Sequence, residues 1–168
     1  MTKDEVRSTW NQLQEELGEK LLDRSLEDLG WAFHFDNAKK RIGHTNAETK
    51  MISVSQLLIK RGLPEEKIKD TIRHEISHAI DFEQRSYSAH DSRWKTVARA
   101  CGANPERTGE IPEEVRPSHR WHRYCPECEK VVGRYYNKPT SDRYVCKHCR
   151  GDLDVVKGPA HPDVNSSS

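Results

Sequence analysis

DTIRHEISHAIDF, residues Asp70 to Phe82, contains His74-Glu75-x-x-His78, and the fold turns on whether this stretch is a metal-binding helix or an ordinary amphipathic one. At about 100° of rotation per residue, His74, Glu75 and His78 fall within little more than one quadrant of a helix, while Ile68, Ile72, Ile76, Ala79 and Ile80 fall on the far side. Two imidazoles one turn apart on the wet face suit two ligands of one ion. Polar residues opposite an apolar stripe are equally what any surface helix shows. A shuffled chain of this composition would carry the pattern roughly once in twenty. A third ligand therefore decides more than the motif does.

A catalytic zinc site takes three protein ligands and leaves a position for water. The metzincin extension would put Gly at 81 and His at 84, whereas the chain has Asp81 and Gln84, which excludes that subclass. His90 is the best-framed candidate, because it ends the polar run EQRSYSA. It directly precedes a helix in which Trp94, Val97, Ala98 and Cys101 recur at i, i+3, i+4 and i+7, closed by Gly102. Glu83 and Glu106 are the alternatives, as in sites with a carboxylate third ligand. Asp70 and Asp81 share the ligand side of the helix and are candidates to orient an imidazole, with solvated surface charge as the competing expectation. Tyr87 and Arg85 are weaker candidates for stabilising an oxyanion.

Working outward, Asp4 to Leu29 carries Trp10, Leu13, Leu17, Leu21 and Leu22 at helical spacing. Leu26 and Leu29 continue that stripe towards Gly30, so a long helix is expected, with Gly18 as the point where it would break. WAFHF, RIGHT and MISVS read as short strands, with Asn46 to Thr49 as a turn, and predict a small three-stranded sheet. MISVS is the expected exposed edge, able to take a substrate backbone by strand addition. Ser53 or Ser55 would cap a short helix QLLIKR ending at Gly62, and Pro64 would open the helix that holds the quoted stretch. The fold class expected is α+β.

Four of the five cysteines form close pairs, Cys125-Pro-Glu-Cys128 and Cys146-Lys-His-Cys149, separated by seventeen residues. Each C-x-x-C makes a tight knuckle, and four thiolates complete a closed tetrahedron, so the spacing is a strong signal for structural zinc. A thioredoxin-type redox role would explain one pair and not two. VVGRYY and RYVC are the expected hairpin strands of this β zinc ribbon. His148 reads as a solvated knuckle residue and Cys101 as core.

Composition sets the outer bounds. The 168 residues are 33% hydrophobic and 33% charged, with mean hydropathy −0.96, and no apolar run approaches the roughly 20 residues of a membrane span. The N-terminus lacks the apolar stretch of a signal peptide, so a soluble, intracellular protein is expected, with no membrane partner and monomeric. The net charge of +1 hides an asymmetry: Arg116 to Arg150 holds nine Lys/Arg against three acidic residues, a local +6. Trp121, Tyr124, Tyr135, Tyr136 and Tyr144 alternate with those cations, the composition of a surface that binds single-stranded DNA.

The run RIGHT…MISVSQLLI…DTIRHEISHAIDF…HDSRWKTVARACG, about residues 39 to 102, resembles the core of SprT-like zinc metalloproteases of the SprT/Spartan type. The resemblance implies a zincin-like core, zinc held by His74, His78 and His90, Glu75 as catalytic acid/base, and Trp94 as a packing aromatic. It implies zinc-dependent hydrolysis of peptide bonds in DNA-associated proteins, of the DNA–protein crosslink repair type, by an enzyme that is itself DNA-associated. In that family the residue after the third His is commonly Gly; here it is Asp91. Two Zn2+ ions are expected, one catalytic and one held by Cys125, Cys128, Cys146 and Cys149. The expected organisation is a protease core over 1–103, a linker over 104–118, a zinc ribbon over 119–157 and a disordered tail over 158–168. The alternative is a non-proteolytic, nucleic-acid-binding zinc-ribbon regulator whose helix holds metal without cleaving. Glu75 weighs against it, because a structural site has no need of a base beside its ligands.

Overall fold

Thr2 starts the first helix with a capping box: its hydroxyl accepts from the Glu5 amide, and the Glu5 carboxylate accepts from the Thr2 amide at 2.7 Å. In the computed structural model, which describes residues 1–106, 109–141 and 143–158, this helix α1 runs Lys3–Leu22. It buries Val6, Trp10 and Leu17. The expected helix continued to Leu29, but Asp23 adopts a left-handed conformation (φ 59°) and the chain turns back. Gly18 does not break the helix. It lets the returning backbone approach, since a Cβ there would stand 2.5 Å from the Arg24 carbonyl oxygen. Leu26 still reaches the core, fully buried, by way of the turn.

WAFHF, RIGHT and MISVS carry strands β1 (Ala32–Asp36), β2 (Gly43–Asn46) and β3 (Met51–Ser55), in the order β1-β3-β2. β1 runs parallel to β3, and β2 antiparallel to it. MISVS is thus the central strand and not the edge, and Ile52, Ser53, Val54 and Ser55 are all buried. Burial of the serines along with the apolar residues shows a strand covered on both faces, although its alternating sequence is that of a strand with one wet face. The edges are β1 and β2, and β2 is the one that packs against the helix bearing Thr71 and Glu75. Ser55, rather than Ser53, caps α2 (Gln56–Lys60), accepting from the Leu58 amide. After Pro64, α3 (Glu65–Arg85) presents Ile68, Ile72, Ile76, Ala79 and Ile80 to the core, each fully buried, as its periodicity requires. Asp91 caps α4 (Ser92–Ala100). These elements and the chain to Arg116 form one compact unit, and Pro117–Ser168 another.

Part of the stretch expected as a linker packs into the first unit. Ile111, just before a short 3-10 turn (Glu113–Val115), and Val115, its last residue, join the core cluster, while the Arg61 guanidinium donates to the carbonyls of Val115 and Arg116 at 2.7 and 3.2 Å. Its Gly, Pro and Glu content marks irregular backbone, but two apolar side chains four residues apart suffice to anchor it.

The second unit is a three-stranded antiparallel sheet of β4 (Trp121–Cys125), β5 (Lys130–Tyr135) and β6 (Asp154–Lys157), ordered β5-β4-β6. VVGRYY supplies β5, but RYVC forms no strand. The Cys146 backbone is committed to the second knuckle, its amide donating to Gly151 and its carbonyl accepting from Arg150. The strands on either side of β4 are instead β5 and DVVK. Of the expected tail, residues 159–168 lie outside the described residues, as do Arg107 and Thr108. No helix among the described residues is long and apolar enough to cross a membrane.

Candidate metal centres

His74 and His78 leave α3 one turn apart, and His90 arrives from the segment between α3 and α4. Their Nε2 atoms converge: 3.3 Å between His74 and His78, 3.1 Å between His78 and His90, and 3.2 Å between His74 and His90. A ring nitrogen that carries a proton has no lone pair to accept with, so three mutual contacts cannot all be hydrogen bonds. Burial first, and then the neighbouring His90, push the His74 pKa down to about 4. Burial, with the other histidines, pushes His78 to about 3. The helix pair is therefore neutral at neutral pH, with lone pairs available. Zinc bonded to nitrogen at about 2.0–2.1 Å in a tetrahedron spaces its ligands about 3.3–3.4 Å apart, and the observed triangle fits within a few tenths of an ångström.

The wall behind the triangle is Trp94, fully buried, whose ring centroid lies 4.8, 4.8 and 4.5 Å from those of His74, His78 and His90. Neither alternative third ligand reaches the pair. Glu83 accepts from the Trp31 indole at 2.9 Å and pairs with Lys50 at 2.6 Å, and Glu106 pairs with Lys95. If His90 completes the set, His90→Ala should lose the metal held here while the cysteine-held metal stays, as counted by metal analysis of the purified chain.

Glu75 lies between the two helix ligands and is buried at 7% exposure, in contact with the edge strand. The Thr45 hydroxyl lies 2.7 Å from Glu75 Oε2 and 3.0 Å from its carbonyl oxygen. A Cβ on Gly43 would come within 2.6 Å of Thr71 Cγ2 and 2.9 Å of Glu75 Oε1, so only glycine admits β2 this close to α3. Burial pushes the Glu75 carboxyl up to about 7, against the opposing pull of the Thr45 hydrogen bond. A cleft of about 410 Å³ opens over the site, walled by Arg41, His44 and Thr45 on one side and Asp70, Thr71 and the histidines on the other. That volume lies within the usual range for ligand sites.

The groups expected to orient imidazoles do something else. Asp70 accepts from the Asn104 amide at 3.0 Å. Asp81, fully buried, is gripped by Arg85, so it is neither surface charge nor an imidazole partner. Arg85 is engaged by two aspartates and is not free to meet an oxyanion, and Tyr87 lies over its guanidinium at 4.9 Å. The hydroxyl that meets a ring nitrogen belongs to Ser88, 2.8 Å from His78 Nδ1. Thr45 and Ser88 carry no sequence signal of their own, since both pairings cross between elements. Asp91, in place of the common glycine, accepts from the Trp94 amide, and the Arg85 guanidinium and that amide hold its carboxyl down to about 2.

In the second unit, the thiols of Cys125, Cys128, Cys146 and Cys149 lie within 4.8 Å of one another, with Sγ separations of 3.5 Å (Cys125–Cys149) and 3.9 Å (Cys128–Cys146). Zinc–thiolate bonds of about 2.3 Å require edges of about 3.8 Å, so this set also fits one zinc ion. The amides of Cys128 and Gly151 point at the sulfurs of Cys125 and Cys149, the partners a thiolate needs. His148 is exposed and outside the cluster, and Cys101 is core. Arg120, Lys130, Arg134, Lys138 and Lys157 are exposed around the sheet. Arg123 is not: it is 5% exposed, with its guanidinium 5.4 and 4.2 Å from the Tyr135 and Tyr144 rings, and it donates to the Ser141 carbonyl.

A family model described as the SprT-like family matches residues 6–117. Protein SprT-like of Lactiplantibacillus plantarum is 31% identical over 88 residues, 51% of this chain and 57% of that protein. Human Germ cell nuclear acidic protein is 28% identical over 98 residues, 54% of this chain and 14% of that protein. The chain thus spans less than two thirds of the length of either relative. The crystal structure of the metallopeptidase zymogen abylysin of Pyrococcus abyssi is similar at a TM-score of 0.40 and 17% identity, over 63% of this chain and 87% of that one.

Proposed function

The chain belongs to the SprT-like family, and from that premise we propose that it is a zinc-dependent endopeptidase that hydrolyses peptide bonds in DNA-associated proteins, brought to DNA by its cysteine-held ribbon. The observation that carries the reading is the convergence of three imidazole nitrogens beside a buried carboxylate in one open cleft. His74, His78 and His90 would hold the catalytic zinc, and the four cysteines a structural one. When bound, zinc supplies a Lewis acid and makes water acidic enough to act as nucleophile near neutral pH.

The chain's own residues do the rest. Glu75 takes a proton from the attacking water as its oxygen bonds to the carbonyl carbon, then returns that proton to the amine nitrogen as the C–N bond breaks. Thr45 holds one carboxylate oxygen, which fixes the orientation of the base. The free edge of β2 runs along the same cleft and supports substrate binding by main-chain pairing, which is tolerant of side-chain sequence. Trp94 and the core behind it keep water from the rear of the ligands.

The test is the metal content of the purified full chain together with its cleavage of a DNA-bound protein. Two zinc ions per chain and cleavage abolished by a chelator are expected. No zinc at the histidines, or cleavage indifferent to chelation, refutes the mechanism, and no zinc at the cysteines refutes the ribbon site.

A further inference from the structure

Arg85 makes four charge-assisted hydrogen bonds to two carboxylates that come from different parts of the chain. Its Nε and Nη2 meet Asp81 Oδ1 and Oδ2 at 2.8 Å each, and its Nη1 and Nη2 meet Asp91 Oδ2 and Oδ1 at 3.0 and 2.9 Å. Asp81 lies on α3 less than one turn beyond His78. Asp91 directly follows His90 and caps the helix that bears Trp94.

We propose that Arg85 is a positioning residue for the third ligand, a clamp that fixes the His90–Asp91 turn to the helix of His74 and His78 so that the three imidazoles converge before metal arrives. The inference rests on the metal reading above and adds to it how the site is pre-organised. The segment from Ser86 to His90 belongs to no helix or strand, and Ser86, Tyr87 and His90 are exposed. Besides the clamp, it touches α3 through the Ser86 amide on the Phe82 carbonyl at 2.7 Å, the Tyr87 ring against the Arg85 guanidinium, and the Ser88 contact with His78, and of these only the last reaches a ligand. Were that segment loose, its ordering would be charged against metal affinity. Arginine suits the place because its planar fork meets two carboxylates at once, which a single ammonium does not. The departure at Asp91 belongs to the same device: a glycine there would accept nothing from Arg85.

The test is Co2+ titration of the full chain with zinc kept at the four cysteines and the histidine site emptied, read by visible absorption. Arg85→Met, Arg85→Lys and Asp91→Ser are compared with the wild type. Serine keeps the helix cap and loses the two-oxygen pairing. Cobalt affinity should fall about 10–100-fold in each, as for other groups that orient ligands, with no rescue by lysine. The double variant Arg85→Met/Asp91→Ser should bind no more weakly than the weaker single, because both remove one connection. A role in stability alone would lower the thermal midpoint and leave cobalt affinity unchanged, and that result overturns the clamp. Because Arg85→Met strands the buried Asp81, Asp91→Ser carries the test by itself if the methionine variant does not fold. A wild-type chain that takes up no metal at the histidines overturns the metal reading together with the clamp, whereas normal wild-type uptake with unaltered Asp91→Ser and Arg85→Lys overturns the clamp alone.

Discussion

Glu75→Gln is expected to slow peptide hydrolysis by about 10²–10⁴-fold, the usual share of a general acid–base group, or roughly 3–5 kcal/mol of barrier, with both metals retained. Glutamine has the size of glutamate, and its carbonyl can still accept from the Thr45 hydroxyl that now meets Oε2. The packing of β2 against α3 should therefore survive, while basicity is lost. The carboxyl sits where burial has raised its pKa to about 7, close to the pH at which it must both accept and return a proton. Initial rates on a DNA-bound protein, measured beside the zinc count, decide the matter: unchanged rates with two metals bound would show that proton transfer runs through another group.

The parts of the fold that were legible from sequence are those fixed by periodicity and local chemistry. The apolar stripe of α3 has a single way to face, and it put His74 and His78 on the open side. The knuckle spacing brought four cysteines to one point. What was not legible depends on pairing across elements. Nothing within MISVS distinguishes a central strand from an edge, because that depends on whether β1 and β2 lie on both sides of it. RYVC has a strand's composition, but Cys146 draws its backbone into the knuckle turn. Asp81 reads as surface charge in the sequence, and only the fold shows that Arg85, one turn later, pairs with it and with Asp91, ten residues on. Arg123 looked like one cation among nine, and β4 instead directs it beneath two tyrosines.

That burial of Arg123 sharpens the second large effect expected on the proposed reading, which concerns DNA. Single strands are expected to bind through exposed cations of the ribbon, each phosphate contact releasing counterions with a log–log salt slope of about −0.7. Four such contacts predict a loss of about 50-fold in affinity between 50 and 200 mM salt. Arg120→Ala with Arg134→Ala removes two exposed cations and should make the slope shallower by about 1.4. Tyr144, 60% exposed, is placed for base stacking, and Tyr144→Ala should lower affinity by about 1–3 kcal/mol with the slope unchanged. Arg123→Ala should behave unlike either, loosening the face that Tyr135, Tyr144 and Ser141 build around it, visible as loss of amide protection in β4 and β5 before any DNA is added. Removing residues 119–168 should abolish DNA binding and leave one zinc at the histidines. A truncated chain that binds with the original salt slope would assign the DNA surface to the first unit, and the exposed lysines and arginines around the sheet would then be solubilising charge and nothing more.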